Sequence, residues 1–408
     1  MRGAWLIRWF ATLAILVFPV MSAADVVTEW NEKALACTTA AKQPPFVAAR
    51  TMAMVHTAMF DAVNSVEGHY ASYRVKEVAP PATSPQAAGV AAAHSVLIKL
   101  CSDQKAALDA AYDESLARIP DGGGKADGIS LGERVGLKVL ALRAADGADA
   151  PSTYRPETAP GRYVVTMLPA GFQWGTVTPW VMERGSQFRP APPPQLTSVE
   201  WARDYNEIKD MGGTKSTTRT TEQTNIARFW TITGPQSWDV IVRQLASAPN
   251  RTLSGNARLF ALVEMAAADA YIGVFDAKYT FNFWRPITAI RNGDTDGNEA
   301  TVRQADWVPL VDTPLHPEYP CAHCITSAAV AAVLQSEFGK GTIPLVTMAS
   351  PTAPGIDRKW TSIQDWADEV SEARICGGLH YRNSTVVGKA MGRQIGDLAV
   401  QHYLQPLP

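Results

Sequence analysis

Apolar residues recur at three- and four-residue intervals along most of the chain, and that period predicts helices. VVTEWNEKALACTTAA, FVAARTMAMVHTAMFDAVNSV, AAGVAAAHSVLIKLC and QKAALDAAYDESLARI give four of them before residue 120, with a fifth expected over 130–145. The alanines along their faces favour close helix-on-helix packing, and His56 and His94 read as histidines of that packed interior. The pattern resumes in SVEWARDYNEIKDMG, TTEQTNIARFW and SWDVIVRQLASA, where Thr220 followed three residues later by Gln223 predicts a capping box. A long helix is expected over 256–284. Three more follow, in CITSAAVAAVLQSEFG, SIQDWADEVSEARI and VVGKAMGRQIGDLAVQHYL. Alternation of the strand type is sparse, so the expected class is all-α.

Two stretches break the pattern. Residues 151–196 are rich in Pro, Gly and aromatic residues, including APGRYVVTMLPAGFQWGTVTPWV and RPAPPPQL. A loop this long in a compact protein usually covers or builds something. It reads either as a belt over the helices or as a spacer between helical halves. The other stretch is 1–24, with Arg2 and Arg8 ahead of an apolar run and then Ser22-Ala23-Ala24. That order predicts a secretory leader cleaved near Ala24, hence export to the periplasm or beyond, with an uncleaved anchor as the plainer alternative. The expected organisation is therefore a leader (1–24), an N-terminal helical bundle (25–150), the belt (151–196) and a C-terminal helical bundle (197–408).

A formal net charge of −2 gives no bulk attraction for nucleic acid, so any anion site must come from local placement of a few basic groups. No stretch after the leader is apolar enough to span a bilayer. Five cysteines (Cys37, Cys101, Cys321, Cys324, Cys376) permit disulfides in an exported chain and leave one thiol over.

The candidate chemistry lies between Lys278 and His380. Lys278 and Arg285 are seven apart, which on one continuous helix puts both on the same face; beside Phe275, Phe281, Phe283 and Trp284 that face reads as buried, and buried like charges need an anion. A basic surface pair is the plainer alternative. Pro320-Cys321-Ala322-His323 opens a helix, so free N–H groups gather near His323, which could equally be a simple cap. Arg374 and His380 flank Gly377-Gly378, a predicted helix break that turns both toward one point. A plain helix C-terminus with a surface arginine explains the same residues.

Lys-x6-Arg-Pro, Pro-x-x-His and Arg-x5-His, in this order, resemble the three-part signature of the vanadium-dependent haloperoxidases and the type 2 phosphatidic acid phosphatases. The likeness is to the bacterial haloperoxidase-type branch and extends to PPFVAARTMAMVHTAMFDAVNSV, TTEQTNIARFW and DGNEAT. It implies two related helical bundles with an oxyanion site in the second. Lys278, Arg285 and Arg374 would hold the equatorial oxygens of vanadate or phosphate. His380 would be the axial ligand to vanadium or the nucleophile toward phosphorus, and His323 the acid–base group. Cys321 and Ala322 stand where the family has Ser and Gly, so a weaker thiol donor replaces a hydroxyl while the Ala322 N–H remains. Ala373 and Cys376 replace a serine and an aromatic residue of the third segment.

Three functions fit: oxidation of halide by hydrogen peroxide with vanadate as cofactor, hydrolysis of a phosphomonoester through a phosphohistidine with no cofactor, or an exported helical protein without activity. A disulfide from Cys321 or Cys324 to Cys376 is expected to tie the second and third segments together. A zinc site on the three cysteines and a histidine is the rival, disfavoured by the cations around it.

Overall fold

The computed structural model describes residues 25–165 and 167–408; the predicted leader lies outside them. The first half contributes α1 (Val26–Ala40), α2 (Pro45–Glu67), α3 (Pro85–Leu100), α4 (Lys105–Ala117) and α5 (Gly123–Arg143). After the belt, which carries a short 3-10 turn (Phe172–Thr176), come α6 (Val199–Gly212), α7 (Thr221–Phe229), α8 (Asp239–Ala246), α9 (Leu253–Phe281), α10 (Pro286–Arg291) and α11 (Ala322–Phe338). A short antiparallel pair, β1 (Val346–Ala349) and β2 (Asp357–Trp360), registers Val346 opposite Trp360. The chain closes with α12 (Ile363–Cys376) and α13 (Arg382–His402). The all-α class holds, and the Thr220/Gln223 capping box forms at the start of α7. None of the described helices is long and apolar enough to cross a membrane.

Two long helices, α2 and α9, pack against each other at the centre. Each carries a pair on its own side: α3 and α5 pack on α2, and α11 and α13 pack on α9. Both pairs close on a glycine stripe. A Cβ on Gly128 would stand 2.6 Å from the Ser84 carbonyl oxygen, and one on Gly388 would stand 2.9 Å from that of Cys321. Gly132 and Gly392, one turn further on, meet Ala88 O and Ile325 O still more closely. Backbones this close bury the alanine faces read from the sequence, and one apolar core runs from Val27 to Leu404.

The belt is held by carboxylate and backbone bonds. Asp269 of α9 accepts from the N–H groups of Trp180, Val181 and Met182 at 2.7–2.8 Å. Tyr163 N–H donates to Asn282 O (2.8 Å), and Ala170 N–H to Leu315 O (2.7 Å). The stretch thus lies across the C-terminal end of α9, beside the segments of interest.

One local expectation fails. α9 does not continue to Trp284: it stops at Phe281, where Asn282 takes a left-handed conformation (φ 49°) and its N–H bonds Lys278 O. Asparagine tolerates that region and ends a helix as glycine does. Lys278 and Arg285 therefore do not share a helical face; Arg285 is the residue that precedes α10.

Candidate anion site

Three separate backbone devices bring the predicted residues together. Lys278 leaves the last full turn of α9, Arg285 sits in extended conformation just before Pro286, and Arg374 leaves the last turn of α12. α12 ends at Cys376, Gly378 has φ 78°, and the reversed chain carries His380 back toward Arg374 O, which its N–H bonds at 3.2 Å. His323 stands in the first turn of α11. Arg374 Nη1 donates to Trp230 O (2.6 Å) and His323 Nε2 lies 3.1 Å from Ile232 O, so one loop ties both.

Lys278, Arg285, Arg374 and His380 are each at most 2% exposed, whereas His323 retains some solvent contact. Lys278 Nζ donates to Pro317 O (2.8 Å) and Glu318 O (2.7 Å), carbonyls that orient it without neutralising it. Burial, then the charge of Arg285, holds the Lys278 ammonium well below its usual pKa. Burial presses Arg285 down to about 10, and burial with Arg285 presses Arg374 down to about 9. Guanidinium groups stay charged in proteins, so these pressures measure an unfavourable positive potential rather than loss of a proton. Burial followed by the neighbouring cations keeps His323 and His380 neutral.

Two functional candidates escape sequence reasoning. Glu318 is fully buried and its Oε1 lies 2.8 Å from His380 Nδ1; the carboxyl is raised to about 7, chiefly by burial. His316 takes a bond from Arg285 Nη2 at Nδ1 (2.9 Å), while Arg285 Nε donates to His316 O (2.8 Å). Both residues lie in HPEYPCAHC, next to the predicted helix start. A carboxylate between two prolines, three residues before a helix N-cap, is the signal that could have pointed to Glu318.

The cysteines require a correction. Cys321 pairs with Cys324 across the first turn of α11 (Cα–Cα 5.3 Å), Cys37 pairs with Cys101, and Cys376 is a buried free thiol. Positions three apart at a helix start fall within disulfide reach, so neither partner remains for Cys376. Cys321 therefore has no S–H to offer an anion. Its sulfur accepts from Cys324 N–H (3.2 Å) and its own N–H is taken by Ser384 O (3.2 Å). The zinc alternative needed three thiolates, and with Cys321 and Cys324 bonded to each other only Cys376 remains; among the described residues no group of three or more His, Cys, Asp or Glu is placed to hold a metal.

The donors that remain fit an oxyanion. Arg374 Nε is buried without a partner among the described residues, and the Ala322 and His323 N–H groups open a helix, where intrahelical acceptors do not exist. Three cations and a helix N-terminus face one buried carboxylate, which leaves net positive charge for an anion to neutralise.

Residues 258–407 match the VCPO second helical-bundle domain. That match supports a place for the C-terminal part of the chain in the vanadium haloperoxidase and type 2 phosphatidic acid phosphatase superfamily. The vanadium chloroperoxidase of Curvularia inaequalis is 25% identical over 194 residues, a stretch that covers 40% of this chain and 32% of that protein. In fold, the chain is similar to a bacterial vanadium-dependent iodoperoxidase (TM-score 0.81, 24% identity, covering 96% of this chain and 99% of the other). It is also similar to the holo form of a bacterial vanadium-dependent chloroperoxidase (TM-score 0.72, 16% identity, covering 94% and 93%).

Proposed function

We propose that this chain is a vanadate-binding haloperoxidase-like enzyme that oxidises halide with hydrogen peroxide. The observation that carries the reading is the convergence of Lys278, Arg285 and Arg374, buried and short of negative charge, around the neutral His380. Vanadate would be held by those three side chains, by the Ala322 and His323 N–H groups, and through His380 Nε2. When bound it supplies a Lewis-acidic centre that activates peroxide toward halide. His323, neutral and in partial contact with solvent, is the group able to take a proton at its ring nitrogen and return it. Glu318 holds the far side of His380, and the belt lies across the C-terminal end of α9, from which Lys278 projects. The likeness to iodo- and chloroperoxidases supports the oxidative reading.

A second reading keeps the same residues. The carboxylate on His380 Nδ1 favours a nucleophilic histidine, and with it phosphomonoester hydrolysis through a phosphohistidine. One assay separates the two. Purified protein loaded with orthovanadate is tested for peroxide-dependent oxidation of iodide and bromide, and vanadate-free protein for hydrolysis of p-nitrophenyl phosphate. Halide oxidation that needs vanadate and disappears in His380→Ala supports the first. Hydrolysis inhibited by vanadate, without halide oxidation, overturns it in favour of the second. Neither activity leaves the inactive alternative.

A further inference from the structure

His380 has partners on both ring nitrogens, Arg285 at Nε2 and Glu318, with the more distant Ser384 Oγ (3.4 Å), at Nδ1, and the two charged ones fix its tautomer. Arg285 Nη1 lies 3.2 Å from Nε2. A guanidinium only donates, so Nε2 carries the lone pair and the proton sits on Nδ1. That proton points at Glu318 Oε1, 2.8 Å away, which also accepts from Tyr381 N–H at 3.1 Å. Both side chains are almost fully buried, and Glu318 is itself anchored by its N–H to Phe283 O (2.9 Å) and by its carbonyl to Lys278 Nζ (2.7 Å). The other carboxylate oxygen, Oε2, has no partner among the described residues. A buried negative charge is thus aimed through one imidazole at the place where the cations converge.

We propose that Glu318 is a positioning residue that strengthens the bond His380 makes to the central atom of the oxyanion, at the expense of binding by charge alone. The inference rests on the vanadate reading above. A carboxylate on the far nitrogen locks the ring and raises the basicity of the near one, and the loss of such a partner typically weakens a histidine-bound centre 10–100-fold. The same negative charge opposes any anion held only by Lys278, Arg285 and Arg374. Glu318 therefore discriminates between anions that bond to nitrogen and anions that do not.

Glu318→Gln tests this, because it keeps the shape and an acceptor while removing the charge. Titration calorimetry at about pH 8 compares orthovanadate with sulfate on wild type and variant. The expected result is vanadate binding about 10–100-fold weaker and sulfate binding unchanged or tighter. Parallel weakening of both anions assigns Glu318 a merely structural role and overturns the proposal, as does unchanged vanadate affinity. Wild type that binds vanadate no better than sulfate sinks the vanadate reading itself and the proposal with it, a result distinct from the other two. Thermal unfolding checks the fold. If Glu318→Gln does not fold, Glu318→Asp keeps the charge but lengthens the contact, and is expected to weaken vanadate binding alone.

Discussion

The α3–α5 pair and the α11–α13 pair are built alike, yet only one of them faces a cluster of cations. In both, the residue before the first helix donates its N–H to a carbonyl at the start of the second: Ser84 to Gly124 (2.8 Å) and Cys321 to Ser384 (3.2 Å). In both, that residue's side chain takes the N–H three positions on, Ser84 from Ala87 and Cys321 from Cys324, each at 3.2 Å. The central helices repeat the likeness. Asp61 of α2 accepts from the N–H groups of Tyr73, Arg74 and Val75, as Asp269 of α9 does from those of residues 180–182, and burial raises both carboxyls to about 6.

What differs is small and local. Pro85 follows Ser84 and has no N–H, whereas Ala322 keeps one. Gln86 is exposed at the position of His323, and Pro120 stands four residues before Gly124, where His380 stands four before Ser384. The glycine seam is therefore scaffold. The chemistry comes from what the loops deliver to one helix N-terminus.

The comparison breaks most sharply at the cations. Arg374→Ala is expected to lower whichever activity the assay finds by at least about 10²–10³-fold, the usual loss for a charge-stabilising donor, while Gln86→Ala leaves it unchanged. Equal losses in the two variants would sink the distinction drawn between the seams. The glycines sharpen it next. Gly132→Ala and Gly392→Ala each force a methyl onto a facing carbonyl and should each cost about 1–3 kcal/mol in urea unfolding. Gly388→Ala, whose methyl would press on Cys321 O, is expected to weaken vanadate binding as well, which Gly128→Ala is not.

A pH test concerns two matched buried positions, five residues before each aspartate. His56 is lowered to about 3 by burial and then by Arg243, and Glu264 is raised well above its usual range by burial and then by Asp239. Both are thus driven toward their neutral forms. For His56 the unfolded chain takes up the proton first, near pH 6.5, so its contribution to stability is present above that pH. It is lost as the pH falls toward 3, by up to about 1.4 kcal/mol for each unit. His56→Gln should flatten the acid limb of stability relative to wild type between these limits; identical limbs would count against a buried neutral histidine.

The helical class is legible because long runs at helical period have no competing reading, and the Thr220/Gln223 cap is legible because it is local. The meeting of Lys278, Arg285, His323, Arg374 and His380 is legible only through the family spacing, since each segment alone has an ordinary explanation. Where α9 ends is not legible. Pro286 is a stronger visible stop than Asn282, and the asparagine wins because its left-handed turn closes a bond to Lys278 O. Glu318 is hidden because a glutamate between prolines reads as solvated until the fold buries it against His380. The Cys321–Cys324 pairing is hidden because sequence offers three partners and only the folded helix start sets their distance.

That pairing bears on survival as well as shape. On the haloperoxidase reading proposed above, a centre that turned peroxide into a stronger oxidant would endanger its own soft atoms first, and a free thiol beside His323 would be the nearest casualty. Closed on each other on either side of His323, the two sulfurs have already given up the electrons such an attack would take. The one thiol left, Cys376, is fully buried and pushed up to about 12, mainly by burial, so it carries almost no thiolate to react. The turn that presents His323 thus offers no free thiol to an oxidant.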